Sequence, residues 1–398
     1  MSLNDFQEKF DNSYETVFNK VLVSKPIMNT RFEATLKYGE SVERFAYDLS
    51  AVRVRTVVRN SASTVDSLTD STALLTINLE KEAVFPLSDG EITQAGPLNP
   101  GEVIGGQVAI KVATDLDARC FAEVLNAYQT FDNGDLTTLA ADGTPITLSS
   151  TTVPQMVVRM PAKLRRGANQ TITNMALVID SYAGAEIEEY LLGKQFSIVE
   201  SVFKNGYSGI ISTAEVYISE NLTGTTLFTD VGLADGETVI INGVTLTAKT
   251  TLGTTAGNFA LGADNTAALA NLLELINAPG TTDAGQVALS TANQILFTDT
   301  LKLTATVSVA ASAIIVTGVG AGRLTVSDTA ASGAWTLTCI HGYYGKKGAI
   351  DLVVQDSKSV DMRKRSDLRG YNIFSSYLAG IKTFDDGAKQ FLDVLIAV

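Results

Sequence analysis

The side chains able to do covalent or metal chemistry are few. His341 is the single histidine of the chain, and Cys339 lies two residues before it. Residues two apart on a strand point to one face, so a Cys–His nucleophile pair is geometrically open, although it needs a third group to orient the imidazole. The simpler expectation is that both side chains pack in a core. One histidine excludes a His-centred metal cluster, a zincin helix and a histidine relay within one copy. Cys120 and Cys339 form no CxxC pair, which excludes a disulfide scaffold or a zinc ribbon and fits a reducing compartment. Two loops mimic binding motifs. Gly318-Val319-Gly320-Ala321-Gly322 follows an apolar run like a dinucleotide loop, but Arg323-Leu324-Thr325-Val326 continues as a strand pattern, so a hairpin turn is expected. Asp132-Asn133-Gly134-Asp135 has calcium-loop composition without the later ligands, and reads as a turn. No catalytic residue, cofactor or metal is expected, and an enzyme is the weakest reading.

Charge and composition narrow the classes further. Of 398 residues 45% are hydrophobic and 18% charged, with 30 basic against 43 acidic side chains and a net charge of −13. That is a well-buried globular chain of two or three domains. The acidic balance argues against nucleic-acid binding by the surface as a whole. Two local basic clusters stand out: Lys163, Arg165 and Arg166, then Lys358, Arg363, Lys364, Arg365 and Arg369. The first dozen residues lack the apolar core of a secretory signal. The most apolar run, 303–319, is broken by Thr304, Thr306, Ser308, Ser312 and Thr317, so it reads as strands and no membrane span is expected.

The elements that must position these residues follow from periodicity. Phe6, Phe10, Tyr14, Val17, Phe18 and Val21 recur at three and four, which predicts an amphipathic helix ending before Pro26. From Phe32 to Leu87 the period becomes two. Val52 to Val57 and Leu75 to Glu80 alternate, and the polar stretch 60–71 between them reads as the tip of a long hairpin. Asn99-Pro100-Gly101-Glu102 is a capping signal for a helix with an apolar i+4 stripe from Ile104 through Val124, about 40 Å long if it reaches Tyr128. Gly105 and Gly106 inside it imply close packing against another backbone or a late helix start. Strands are expected at 155–160 and 176–180, and a helix at 185–192. The segment 223–337 shifts to Thr, Ala and Gly with a net charge of −5 and contains an Asn242-Gly243 hairpin signal and a helix at 266–277.

This order resembles the major capsid protein of tailed bacteriophages, the Hong Kong ninety-seven-like coat fold. Thr76 to Leu87 leading into the capped helix is similar to the strand that closes the family's extended loop and enters its spine helix. Asn205-Gly206-Tyr207-Ser208-Gly209 with Val216 to Leu222 resembles its glycine turn and following strand. Gly348 to Gln355 and Tyr377 to Lys382 resemble its last strands. The expected fold is α+β: an N-terminal arm (1–31), an extended hairpin (32–88), a spine helix with the first part of the core (89–222), a mostly β insertion (223–337) and the last part of the core (338–398).

The resemblance implies a structural subunit that self-assembles into homo-hexamers and homo-pentamers of an icosahedral shell. Its other implied partners are a portal, a separate scaffolding or decoration protein, and packaged DNA bound without sequence specificity. The implied location is the virion, with assembly in the host bacterial cytoplasm. An encapsulin-like compartment shares the fold, and a tail or adhesion protein would explain only the insertion. Candidate inter-subunit contacts are Phe6, Phe10 and Tyr14 on the arm, Arg44, Arg53, Arg55 and Arg59 on the hairpin, and Arg363 and Arg365 near the C-terminus. The alternative is that arm and hairpin fold back on their own subunit. Some relatives cross-link through a lysine in the extended loop, whereas no lysine lies between Lys37 and Lys81 here, so a non-covalent shell is expected. Too few residues precede the hairpin for a cleaved internal scaffold.

Overall fold

A computed structural model of the chain describes residues 3–33, 41–48, 52–56, 59, 65–66, 69–88, 90–91, 100–168, 173–193, 207–211, 214–230, 232–308, 312–331, 333–365 and 369–398. The N-terminal aromatic stripe forms α1 (Leu3–Val21) and the i+4 stripe forms α2 (Pro100–Ala122), continued by a 3₁₀ turn to Asn126. The Asn99 cap lies outside the described residues. The two helices pack along their length because α2 offers glycine where α1 comes closest. A Cβ on Gly101 would sit 2.7 Å from the Phe6 carbonyl oxygen, and one on Gly105 would sit 2.7 Å from that of Phe10. The helix-propensity cost of the interior Gly105, about 1 kcal/mol, is therefore the condition for backbone-to-backbone packing.

The extended segment is divided differently from the alternation pattern. The hairpin strands are β1 (Ser41–Asp48) and β2 (Thr69–Thr76), antiparallel with Ser41 opposite Thr76 and Asp48 opposite Thr69. Residues 52–56, expected as a strand, have no ladder and are exposed. Their alternation of valine and arginine is not imposed by a core, since no face of this stretch is covered. The next strand, β3 (Leu79–Leu87), leaves the hairpin and joins a three-stranded sheet with β16 (Asp351–Lys364) and β17 (Tyr371–Lys382), in the order β16, β17, β3.

The largest sheet has nine strands. Its centre is β15 (Ala334–Lys346), which pairs with β8 (Thr223–Thr229), β5 (Met175–Ile179) and β18 (Phe391–Ala397). Beyond β5 lie β7 (Ala214–Ile218), parallel to it, and β6 (Tyr207–Ile211). Beyond β18 lies β4 (Gln129–Phe131), and beyond β8 lie β13 (Ala313–Gly318) and β12 (Leu303–Val307). Between β4 and β5 the chain forms α3 (Thr152–Ala168), where a strand at 155–160 is expected from sequence. Val153, Met156, Met160 and Leu164 are all buried, and their spacing of three, four and four is that of a helix face. The apolar run Met156-Val157-Val158 masks that period. Helix α4 (Ser181–Gly193) follows β5.

Residues 228–326 build a second hydrophobic cluster of their own, centred on Phe228, Val239, Ile241, Leu246, Phe259, Leu272, Phe297 and Ile314. A four-stranded sheet and helix α5 (Asn265–Asn277) enclose it. Asn242 and Gly243, at φ +46° and +79°, make the tight turn between β9 (Thr238–Ile241) and β10 (Val244–Lys249). The glycine loop 318–322 is not the hairpin turn expected. It carries the chain out of β13 in the large sheet to β14 (Val326–Asp328), which pairs with β9 in the small one. Its glycines allow a close crossing, since a Cβ on Gly320 would lie 2.4 Å from that of Ala118 on α2. The ribbon β8–β15 spans both clusters and is bulged between Thr336 and Cys339, with Leu337 at φ +52°.

Candidate assembly surfaces

The arm aromatics are interior residues. Phe6, Phe10, Tyr14 and Phe18 are at most 6% exposed and stack in a ladder with centroid separations of 6.2, 6.2 and 5.7 Å, with Phe85 of β3 also 6.3 Å from Phe10. This corrects the expectation that Phe6, Phe10 and Tyr14 face a neighbouring subunit. The glycine-lined side of α2 and the inner face of β3 supply the partner that was not evident along the sequence. The arm is also fastened at its end. Asp117 of α2, fully buried, accepts hydrogen bonds from the backbone N–H groups of Val23 and Ser24, both at 2.9 Å. Desolvation pushes its carboxyl up to about 6, against the pull of those two donors.

The hairpin is the opposite case. Its base is held by Leu75, which packs with Val353 and Phe384, and with Val42, Ala73 and Ile77 around them. Leu74 beside it is exposed, and farther out Val52, Val54 and Val65 are exposed, Val54 completely so. Arg53 donates its backbone N–H to Asp66 Oδ2 at 2.9 Å, and the Arg55 guanidinium pairs with the same carboxylate. Asp66 thus closes the distal part of the ribbon on itself, and its pKa is lowered chiefly by the Arg55 hydrogen bond. Arg59 is exposed in a turn. Arg44 lies on β1 opposite Ala73.

Arg363 is exposed on β16, bonded to Asp361 through Nε at 3.1 Å and Nη2 at 2.9 Å, and it lies over the Phe374 ring at 4.8 Å. Arg365 donates its backbone N–H to Gly370 O at 3.0 Å and so closes the β16–β17 turn. The other basic cluster divides. Lys163 is buried in an ion pair with Asp135, whereas Arg165 and Arg166 are exposed at the end of α3. Asp135 and Asp132 form the expected turn, a capping box with both carboxylates buried.

The Cys339–His341 pair does have a third group, one that sequence spacing could not indicate. Register between β15 and β18 brings Asp393 to His341, with Nδ1 2.8 and 2.9 Å from the two carboxylate oxygens. Nε2 lies 2.8 Å from Thr225 Oγ1 and 3.9 Å from Cys339 Sγ. Burial disfavours the charged ring, but the Asp393 carboxylate outweighs it and pushes the imidazole up to about 10. At neutral pH the ring is an imidazolium and cannot take a proton from the thiol. The arrangement is a buried ion pair that ties three adjacent strands.

Two further ion pairs join the clusters. Asp115 of α2 binds Lys302 at 2.9 Å, Arg119 at 3.0 Å and the Tyr377 hydroxyl at 2.5 Å, which spans α2, β17 and the second cluster. Arg323, at the end of the glycine loop, pairs with the buried Asp180 at 2.5 Å. Among the described residues no group of histidine, cysteine and acidic side chains could hold a metal ion, and no helix is long and apolar enough to cross a membrane.

No family model matches the chain, and no curated protein matches it. Among solved structures it is similar to a chain described as Mycobacterium phage Che8, at 13% identity and a TM-score of 0.43, over 94% of this chain and 90% of that one. It is similar to the capsid of Staphylococcus phage Andhra at 10% identity and a TM-score of 0.43, over 95% and 87%. It is also similar to a virus-like particle from Pyrococcus furiosus at 11% identity and a TM-score of 0.39, over 97% and 98%.

Proposed function

We propose that the chain is a major capsid subunit of the Hong Kong ninety-seven-like type, a structural protein whose copies close into an icosahedral shell of hexamers and pentamers around double-stranded DNA. The observation that carries this reading is the hairpin. A two-stranded ribbon is marginally stable alone in water, and this one extends past its base with Val52, Val54 and Val65 uncovered. It is completed by lying on another copy, with Arg53 and Arg59 placed for charge-assisted bonds to acids there, while Arg55 is held by Asp66 of its own chain. The internal arm and the three-stranded sheet give a rigid base from which the ribbon can reach. The segment 223–337 is an insertion with its own core, and a portal and a separate scaffolding or decoration protein complete the assembly. The shell is non-covalent, belongs to the virion and is put together in the host cytoplasm.

The test is to replace Val52, Val54 and Val65 together by serine. Val54 and Val65 are almost wholly exposed and Val52 is 48% exposed, so the melting temperature should stay within a degree or two of wild type while fast-sedimenting particles disappear. Unchanged particle yield would refute the role given to the hairpin.

A further inference from the structure

We propose that Lys163 of α3 and Asp135 of the 3₁₀ turn Asn133–Leu136 condense into an amide within the folded subunit, a covalent strap between helix and turn. The strap lies within one chain, so it stands or falls apart from the shell reading. Lys163 Nζ touches Asp135 Oδ2. The two residues are 8% and 0% exposed, and the ring of the buried Phe131 lies 6.0 Å from Nζ. Among the described residues the other two lysine pairs, Lys302 with Asp115 and Lys347 with Glu215, keep side-chain exposures of 15–36%. Water can complete their hydrogen bonding. For Lys163 the protein must do so and does not: Nζ, with three donors, has one acceptor, and Asp135 Oδ1 is buried with no donor.

The neighbouring carboxylate shows how this turn satisfies a buried ion. Asp132, also 0% exposed, accepts backbone N–H groups from Gly134 at 3.1 Å, Asp142 at 3.0 Å and Gly143 at 2.7 Å. Asp135 accepts one, from Asp132 at 3.1 Å, and on Oδ2 alone. A buried ion pair repays its desolvation only when its remaining donors and lone pairs are satisfied, so Asp135 and Lys163 are better served as a neutral amide. The condensation needs no co-reactant. The ammonium passes a proton to Oδ1, the amine attacks Cγ, and the Cγ–Oδ1 bond breaks as Oδ1 takes a second proton from nitrogen and leaves as water. Nζ keeps one hydrogen, and Oδ2 becomes the amide oxygen with its bond from the Asp132 N–H retained. Reactants held in place reach effective molarities of about 10⁵–10⁸ M, which favours condensation in a pocket that excludes water. The product closes a loop of 28 residues and constrains the unfolded chain as a disulfide would. Cys120 and Cys339, both free and buried, supply no such bond.

Intact mass spectrometry of the full chain, purified folded and denatured for the measurement, is the test. Wild type should be lighter than its sequence mass by one water. K163R keeps the positive charge but has no amine to acylate, and should show its full sequence mass. Trypsin should release from wild type a branched peptide with two N-termini, Cys120 and Met160, because cleavage after Arg119 and Arg159 leaves Asp135 and Lys163 on separate segments. Sequencing from both N-termini separates it from a linear peptide of the same mass. Should K163R fail to fold, the branched peptide decides alone, since no linear chain has two N-termini. Full sequence mass in wild type would overturn the proposal and leave an ion pair. A water loss that persists in K163R would overturn it too, by placing the loss at a succinimide elsewhere. Neither result bears on shell formation, which imaging of particles tests separately.

Discussion

Asp117 gives the subunit a stability that falls as pH rises, opposite to the usual behaviour of carboxylates. Its two oxygens hold the Val23 and Ser24 amides at 2.9 Å and fix the end of α1 on α2. Burial nevertheless raises its pKa from 3.8 to about 6. The folded state thus binds the proton more tightly than the unfolded chain, so this contribution is fully present below about pH 3.8 and is lost as pH rises through about 6. The gap corresponds to about 3 kcal/mol at about 1.4 kcal/mol per pH unit. In D117N the side chain cannot ionise, but its amide nitrogen has no lone pair and so loses one of the two backbone N–H groups that the carboxylate oxygens accept, a cost of about 1–3 kcal/mol that does not change with pH. The mutant should therefore be less stable than wild type near pH 4 and gain on it by about 3 kcal/mol, as an order of magnitude, between pH 4 and pH 7. Trp335 sits against the second cluster, so its fluorescence reports the wrong core. Hydrogen exchange of the α1 and α2 amides in the unassembled subunit, measured from pH 4 to 8 and corrected for intrinsic exchange, reads the right one. A mutant-to-wild-type difference that is constant with pH, or that moves the other way, would refute the assignment.

Other perturbations follow from the same packing. F10A empties a fully buried site in the aromatic ladder and should cost about 3–5 kcal/mol in the isolated subunit by chemical denaturation; a loss seen only in assembled particles would return the arm to an inter-subunit role. H341Q leaves Asp393 buried without its cation and should cost about 3–5 kcal/mol at neutral pH. With a folded pKa of about 10 against 6.5, the stabilisation by His341 should be full below pH 6.5 and vanish as pH rises through about 10, which a pH series of melts would show. Denaturing electrophoresis of assembled particles should give one band at the subunit mass, and a ladder of covalent oligomers would contradict a non-covalent shell.

Where a single element carried its own periodicity, the sequence was legible. The i+4 stripe of α2, the aromatic stripe of α1 and the Asn242-Gly243 turn all declare themselves locally, and local hydrogen bonding decides them. Helix α3 was obscured because Met156-Val157-Val158 is equally compatible with a buried strand, and the helix period shows only when Met156 is taken with the buried Val153, Met160 and Leu164. The hairpin misled in the opposite sense: Val52 to Thr56 alternates perfectly, but alternation specifies a strand only where one side is covered. The functional surfaces depend on long-range register. Asp393 lies 52 residues from His341 and meets it only because β18 pairs with β15, although an acid inside Phe391 to Ala397, an otherwise apolar strand, is a usable sign of a buried charge partner. Likewise the arm had no visible partner until Gly101 and Gly105 were seen to receive it, a role that the mid-helix cost of Gly105 already hinted at.

Imaging of the purified full-length protein by negative-stain electron microscopy tests the central claim most directly. Closed particles of uniform diameter with five- and six-fold capsomers on their surface are expected. Monomers, trimeric spikes or tubes as the sole product would contradict it.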